Sequence, residues 1–360
     1  MDLLNAKSDA RAPRLMESPE PCEKAPSSPL VAILGPTASG KSALAVGLAR
    51  RFAGEVIACD SAQVYRGFDI GTAKPTAEER CGIPHHMLDL LEPAEAFTAG
   101  EYRRRVLDLL ADLRQRGRLP IFTVGTGLYL RALLEGLADA PKRSEALRAR
   151  LDAAAARRGS MHLHKILSRC DPIAAARISP NDRQKLVRAL EVCLLAGRSL
   201  TEVLEAGRDP LRGYAPLKIG LYPPRGALYA RIERRVNMMC ERGWFEEVAA
   251  LAERGVPRTA KPFEFIGYRQ LRAHLEQGKP LGSASEAIAR ATRRYAKRQL
   301  TWFRKEPGVQ WFPGFGDDPE IVSAVGAELG RAFSDRLITR AKPSAGGATE
   351  DNRKWHNKIV

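Results

Sequence analysis

The most constraining stretch of the chain is residues 31–42, VAILGPTASGKS. Val31 to Leu34 form a short apolar run, the pattern of a buried strand. Gly35, Pro36, Thr37, Ala38, Ser39, Gly40, Lys41 and Ser42 then spell G-x-x-x-x-G-K-S. That spacing predicts a phosphate-cradling loop between a strand and a helix. Gly35 and Gly40 let the backbone turn tightly and aim its N–H groups inward. Lys41 adds a point charge, Ser42 a hydroxyl that can reach Mg²⁺, and the following helix an electropositive N-terminus. Leu44, Leu48 and Phe52 recur at helical spacing just downstream, so the strand–loop–helix context is met. A loop of this kind binds something with two or more phosphates. What the site does with them must come from elsewhere in the chain.

The sequence around this loop alternates between strands and helices. Residues 55–60 (EVIACD) read as a second short buried strand, with Asp60 at its end. Residues 66–97 are loop-like. Thr98 caps a helix, with Glu101 at the capping-box position. The run LPIFTVGTG predicts a third buried strand, and LYLRALLEG a helix after it. Residues 217–222 (LKIGLY) predict another strand and residues 310–312 (QWF) a last one. This alternation gives an α/β fold of the P-loop NTPase kind, a parallel sheet with helices on both faces. Polar residues ending each strand then gather at one edge, which brings Asp60 and Thr126 beside the phosphates. From Ser144 to Gly207 every segment is helical in pattern, which predicts an all-helical insertion. The expected core is therefore discontinuous, residues 30–143 and 214–315, interrupted by an insertion at 144–213. Residues 1–29 and 341–360 read as disordered tails.

Net charge narrows the partner. The 360-residue chain carries 58 Lys and Arg against 42 Asp and Glu, a formal charge of +16. Such a surplus points to a polyanion, nucleic acid before membrane surface. No apolar run approaches the roughly 20 residues of a membrane span, and the N-terminus lacks the apolar core of a signal peptide. The six cysteines include no C-x-x-C pair and read as reduced thiols of a cytoplasmic protein. A strongly basic final helix is expected over 285–303. Arg290, Arg293, Arg294, Lys297 and Arg304 share one face, and Tyr295 and Trp302 lie near one another on a second. For Tyr295, Trp302 and Phe303, core packing is the stronger expectation and base stacking the weaker.

An ATPase or GTPase needs an acidic residue near Mg²⁺ at the end of an apolar strand. Only the second strand supplies one, Asp60; the third runs into Gly125–Thr126–Gly127, and the fourth into Pro223. Asp60 has two candidate roles on this reading, a metal-organising carboxylate or a general base.

Seven segments occur in order across about 280 residues: GPTASGKS, DSAQVYRGFDIGTAKP, IPHHMLDLLEP, VGTGLYLRALLEGL, ISPNDRQKLVRALEV, EFIGYRQL and RRYAKRQLTWFR. Together they resemble the bacterial tRNA dimethylallyltransferase (isopentenyltransferase) family. The resemblance implies transfer of a dimethylallyl group from dimethylallyl diphosphate to the exocyclic amine of an adenosine. That adenosine lies 3′ of the anticodon in tRNAs reading codons that begin with U. It implies that the backbone from Thr37 to Ser42 and Lys41 hold the diphosphate, and that Ser42 meets the cofactor Mg²⁺. Asp60 is then the general base, Thr126 lies near the reacting centre and Arg235 reaches the diphosphate. The tRNA anticodon stem-loop is expected to meet Asp60, Ser61, Ala62, Gln63, Thr126 and Arg148. Two further segments match, Gln184, Lys185, Leu186, Val187 and Arg188, and Glu264, Phe265, Ile266, Gly267, Tyr268 and Arg269. A tight Gly267 suits a loop against nucleic acid. The resemblance makes His85 and His86 a loop feature, not a metal site, and a monomer is expected. Three departures stand out: Lys185 replaces an expected Arg, VGTG has one glycine fewer before Thr126, and no zinc-finger Cys pair follows Cys240. Competing readings are a prenyltransferase acting on free adenine nucleotides, a small-molecule kinase and a non-catalytic nucleic-acid binder.

Overall fold

The computed structural model describes residues 27–277 and 281–340. Among the described residues, six strands form one parallel sheet: β1 (Ser28–Leu34), β2 (Gly54–Cys59), β3 (His85–His86), β4 (Leu119–Val124), β5 (Tyr214–Leu221) and β6 (Val309–Phe312). Their order is β3-β2-β4-β1-β5-β6, so the P-loop strand sits inside the sheet between β4 and β5. The helices are α1 (Lys41–Arg51), α2 (Ala77–Arg80), α3 (Ala99–Gln115), α4 (Gly127–Leu134), α5 (Glu145–Arg158), α6 (Ser160–Cys170) and α7 (Pro172–Arg177). They continue with α8 (Arg183–Ala196), α9 (Leu200–Glu205), α10 (Arg225–Glu241), α11 (Trp244–Glu253), α12 (Tyr268–Gln277), α13 (Leu281–Phe303) and α14 (Pro319–Arg340).

The period of two in β1 sorts its side chains to opposite faces. Val31 and Ile33 pack with Leu44 and Leu48 of α1 and Val325 and Leu329 of α14. Leu30, Ala32 and Leu34 join the larger core on the other face, with Tyr102 and Val106 of α3, Leu130 of α4, Val248 of α11 and Ile288 of α13. Both faces are covered, which explains why the strands read as continuous apolar runs.

Helices α5 to α9 build a separate core around Leu163, Leu167, Leu186 and Leu190. Its junction with the sheet domain is organised by Glu191, which is wholly buried. The Glu191 carboxylate accepts hydrogen bonds from Arg148 (both 2.9 Å), Arg188 (2.6 Å) and the Ser144 N–H (2.8 Å). Arg188 also donates to Pro141 O, on the incoming linker. On the return crossing, Leu211 N–H donates to Leu134 O and Arg208 pairs with Glu135.

Several expectations are corrected. Ser28 and Pro29, read as tail, open β1 beside Tyr214 and Ala215. The rest of the expected tails, residues 1–26 and 341–360, lies outside the described residues. His85–His86 is no loop but a two-residue edge strand paired with Val56 and Ile57. Its His86 is fixed by Glu55, at 2.7 Å. The stretch 66–97 holds a capped helical turn, α2. Thr98 accepts from the Glu101 N–H, but Glu101 turns to Arg104 and Arg105, so the capping box is half formed. The helix expected at 285–303 is not the last, since α14 follows β6 and covers α1.

Candidate active site

The loop after β1 takes the expected shape. Gly35 and Gly40 have φ values of 151° and 84°, and Ala38 is held at φ 64°, a region costly for a residue with a Cβ. Lys41 Nζ donates to Gly35 O (2.9 Å) and Pro36 O (2.8 Å). The hydroxyl of Ser39 is buried within the loop and has no partner among the described residues. From outside, the Gly316 N–H donates to Ser39 O at 2.8 Å. A Cβ on Gly40 would meet Asp317 Oδ1 at 2.6 Å, and Asp317 is in turn gripped by both nitrogens of Arg231. Two of the amides expected for a ligand have protein partners here. Thr37 N–H donates to Gln299 Oε1 (2.7 Å) and Ser39 N–H to Pro36 O (3.3 Å).

Asp60 lies one residue beyond β2. Its Oδ1 accepts from the Ala62 N–H at 2.8 Å. Its other oxygen lies against Gly125, where a Cβ would come within 2.1 Å. On the far side of Thr126, a Cβ on Gly127 would meet Trp302 Nε1 at 2.1 Å. The G-T-G turn therefore carries its glycines for room, to admit a carboxylate and an indole. Thr126 Oγ1 accepts from the Ser61 N–H (3.1 Å) and lies 3.3 Å from Ser61 Oγ, so the ends of β2 and β4 are tied together.

Two half-buried charges act on Lys41, the Asp60 carboxylate and the Arg235 guanidinium. Burial raises the Asp60 pKa; the amides of Ala62 and Gln63 and the Lys41 ammonium oppose this without cancelling it. Burial pulls Lys41 down to about 7, against the attraction of Asp60 and with the repulsion of Arg235. Burial also lowers the Arg235 pKa, yet a guanidinium stays charged at neutral pH. Arg235, on α10, has no hydrogen-bond or ion-pair partner among the described residues. Two confined cations beside one loop, one of them unpaired, form a site that an anion would relieve.

Residues 63–306 match the model of the IPP transferase family. The chain belongs to this family. It is 53% identical over 293 residues to the tRNA dimethylallyltransferase of Koribacter versatilis, covering 81% of this chain and 95% of the relative. The Solibacter usitatus protein of the same name is 52% identical with the same coverage. Among solved structures, a tRNA isopentenylpyrophosphate transferase from Bacillus halodurans superposes with a TM-score of 0.64 at 39% identity, covering 87% of this chain and 99% of that one. A eukaryotic dimethylallyltransferase acting on tRNA gives a TM-score of 0.74 at 27% identity, covering 89% and 81%.

In this member of the IPP transferase family the expected RNA-facing residues separate into exposed and structural ones. Gln63 is partly exposed, and its Nε2 donates to Thr72 O (3.2 Å) and Ala73 O (3.1 Å), which leaves Oε1 as its free acceptor. Of the 184–188 run, Leu186 and Val187 are in the insertion core, so only Gln184, Lys185 and Arg188 can face outward. Arg148 and Arg188 both serve Glu191. Of the 264–269 run, Tyr268 is wholly buried and opens α12. Its hydroxyl accepts from the Gly71 N–H and donates to Glu247. Gly267 has φ 94°, and a Cβ there would lie 1.8 Å from Trp244, so its tightness serves a tryptophan and not nucleic acid. Glu264 and Arg269 remain exposed, and Phe265 and Ile266 pack partly against the core.

The basic face of α13 is thinner than its sequence implies. Arg293 pairs with Glu233, and Arg304 donates to Tyr222 Oη. Arg294 and Lys297 are exposed and unpaired among the described residues. Phe303 is core, as expected, and Tyr295 is half-buried; Trp302 departs, 40% exposed with the Arg131 guanidinium 5.1 Å from its ring. Sequence reasoning missed Gln299 altogether. A lone amide one turn from Tyr295 and one turn from Phe303 was the available signal.

Proposed function

We propose that the protein transfers a dimethylallyl group from dimethylallyl diphosphate to the exocyclic amine of the adenosine 3′-adjacent to the anticodon. Its tRNA substrates read codons that begin with U, and the products are prenylated tRNA and diphosphate. The observation that carries this reading is the pairing of a half-buried Asp60 with a cation-lined P-loop across a glycine-cleared turn.

The diphosphate occupies the loop from Gly35 to Ser42, where Lys41, Arg235 and the Ser39 hydroxyl meet it. The amine nitrogen attacks the first carbon of the prenyl chain. The carbon–oxygen bond breaks, its electron pair leaves with the diphosphate, and the amine proton passes to Asp60. An exocyclic amine is a weak nucleophile because its lone pair is delocalised into the ring. Orientation by Asp60 and Thr126 therefore matters as much as proton removal. The raised Asp60 pKa makes it a better base than an exposed carboxylate, and the cations stabilise charge growing on the leaving group.

Mg²⁺ fits this site through Ser42, whose exposed hydroxyl has no partner among the described residues. No group of three His, Cys, Asp or Glu residues that could hold a metal occurs among the described residues. Diphosphate oxygens and waters would complete the ion's shell, as is usual for Mg²⁺. When bound, the ion would offset charge on the diphosphate. The acceptor adenosine must leave its stack, which in a single-stranded loop costs about a few kcal/mol. No described helix is long and apolar enough to cross a membrane, and the protein acts as a monomer in the cytoplasm.

Labelled dimethylallyl diphosphate incubated with Mg²⁺ and either unmodified tRNA or AMP and ATP tests the reading. Label should enter tRNA alone; label in free nucleotide, or in neither, refutes it. Asp60→Asn should slow transfer by about 10²- to 10⁴-fold while tRNA affinity stays near wild type.

A further inference from the structure

Gln299, on α13, is 6% exposed. A buried carboxamide has to be hydrogen-bonded, since a buried polar group left without a partner has lost its water for nothing in return. Both of its ends find backbone partners, and the two partners belong to different halves of the site. Oε1 accepts from the Thr37 N–H at 2.7 Å, and Nε2 donates to Gly125 O at 2.9 Å. The orientation is unambiguous, because a flipped amide would set NH₂ against an N–H and oxygen against a carbonyl. Tyr295, one turn earlier, adds a hydroxyl donor to the same Gly125 O at 3.3 Å.

The place of this bridge gives it meaning. The register of β1 and β4 runs through Val31–Ile121 and Ala32–Phe122 to Ile33–Thr123, and stops there. Beyond it the two chains part, one into the P-loop and the other into the turn that abuts Asp60. Among the described residues no other hydrogen bond joins residues 35–42 to residues 125–127.

We propose that Gln299 is a positioning residue for prenyl transfer, stapling the leaving-group loop to the acceptor-side turn and fixing the distance between the two reactants. This rests on the reading that the P-loop holds the diphosphate. Gln299 touches neither reactant; it acts through Thr37 and Gly125. Losing the staple lets the two loops move independently, which leaves each able to bind its own ligand but degrades their alignment.

The test uses the full chain with Gln299→Met, which keeps length and volume but removes both hydrogen bonds. Single-turnover transfer at saturating tRNA and dimethylallyl diphosphate should fall on the order of 10²-fold. Affinities for tRNA and for inorganic diphosphate should each stay within about threefold, the split expected when an interaction serves only the transition state. A transfer rate within threefold of wild type, or a loss matched by either affinity, overturns the proposal. Gln299→Asn, which keeps the amide but is too short to reach both partners, should behave like Gln299→Met and carries the test if the Met variant does not fold. Failure of both to fold assigns Gln299 to stability and overturns the proposal. Lys41→Ala in the same diphosphate-binding assay separates the premise from the staple. Unchanged affinity there removes the loop as leaving-group site, whereas a drop there with an unaltered Gln299→Met rate overturns the staple alone.

Discussion

Gly125→Ala is the smallest change that displaces Asp60, the proposed general base, without replacing it. The added Cβ would lie 2.1 Å from Asp60 Oδ2 and 3.1 Å from Cγ, where ordinary contact begins at 3.4 Å. The carboxylate must retreat by the difference, about 1 Å, and a misplacement of that size costs about 10²-fold in rate, or about 2.7 kcal/mol in the barrier. Asp60 cannot rotate freely to escape, because Oδ1 is held by the Ala62 N–H at 2.8 Å. The φ of Gly125 is not in the left-handed region, so alanine adds no backbone strain and the variant should fold. Gly47→Ala in α1 is the control: nothing lies within 4 Å of its Cβ, and it should gain up to about 1 kcal/mol of stability with no change in rate. Single-turnover transfer of labelled prenyl group to tRNA, with melting temperature and tRNA affinity measured alongside, reads the result. A Gly125→Ala rate within threefold of wild type, or an equal loss of tRNA affinity, would refute the placement of Asp60 as the base.

Three further outcomes follow from the charges. Lys41 is cationic below about 7 in the free protein, and a bound diphosphate raises its pKa, so ligand binding at pH 8 should take up a proton; calorimetry in buffers of different ionisation enthalpy measures it, and the component due to the lysine should vanish in Lys41→Arg. For Glu191, burial alone would raise the pKa, but hydrogen bonds from Arg148, the Ser144 N–H and Arg188 hold it at about 2. A carboxyl depressed in the folded state stabilises above its ordinary 4.5 and loses that contribution as pH falls toward about 2. Glu191→Ala should therefore cost about 3 kcal/mol in urea unfolding at pH 7, with the gap narrowing at pH 3; a constant gap would refute the assignment. Finally, tRNA affinity should fall steeply with salt, and Arg294→Ala with Lys297→Ala should lower the slope of log affinity against log salt by about 2. A flat salt response would remove the argument from charge.

The parts of the molecule legible in the sequence are those set by local pattern. The P-loop, the buried strands and the strand-end Asp60 each declare themselves within about a dozen residues. Edges were less legible: β3 is two residues long, and its pairing with Val56 and Ile57 has no local signature. Helix α14 could have been found, since Ile321, Val325 and Leu329 recur at helical spacing. Other features are long-range and invisible to periodicity. Nothing in VGTG says that its glycines face Asp60 and Trp302, and nothing in EFIGYR says that Gly267 faces Trp244. The same limit separates a motif's residues by role. Tyr268 and Leu186 fall within segments expected to face RNA, but burial makes them supports for their exposed neighbours.

The contact between the Gly316 amide and Ser39 O bears on the order in which the protein is made. The P-loop belongs to an early strand, yet its outer wall is built by residues 316 and 317, which follow β6 in the chain. Such pairings between remote parts of a chain form late, because the intervening segment must be ordered first. A nascent chain that has emitted β1 and α1 thus carries the motif without the finished cradle. Capture of the proposed diphosphate is thereby tied to completion of the sheet, and a stalled or truncated product lacking residues 313–318 should hold that ligand poorly.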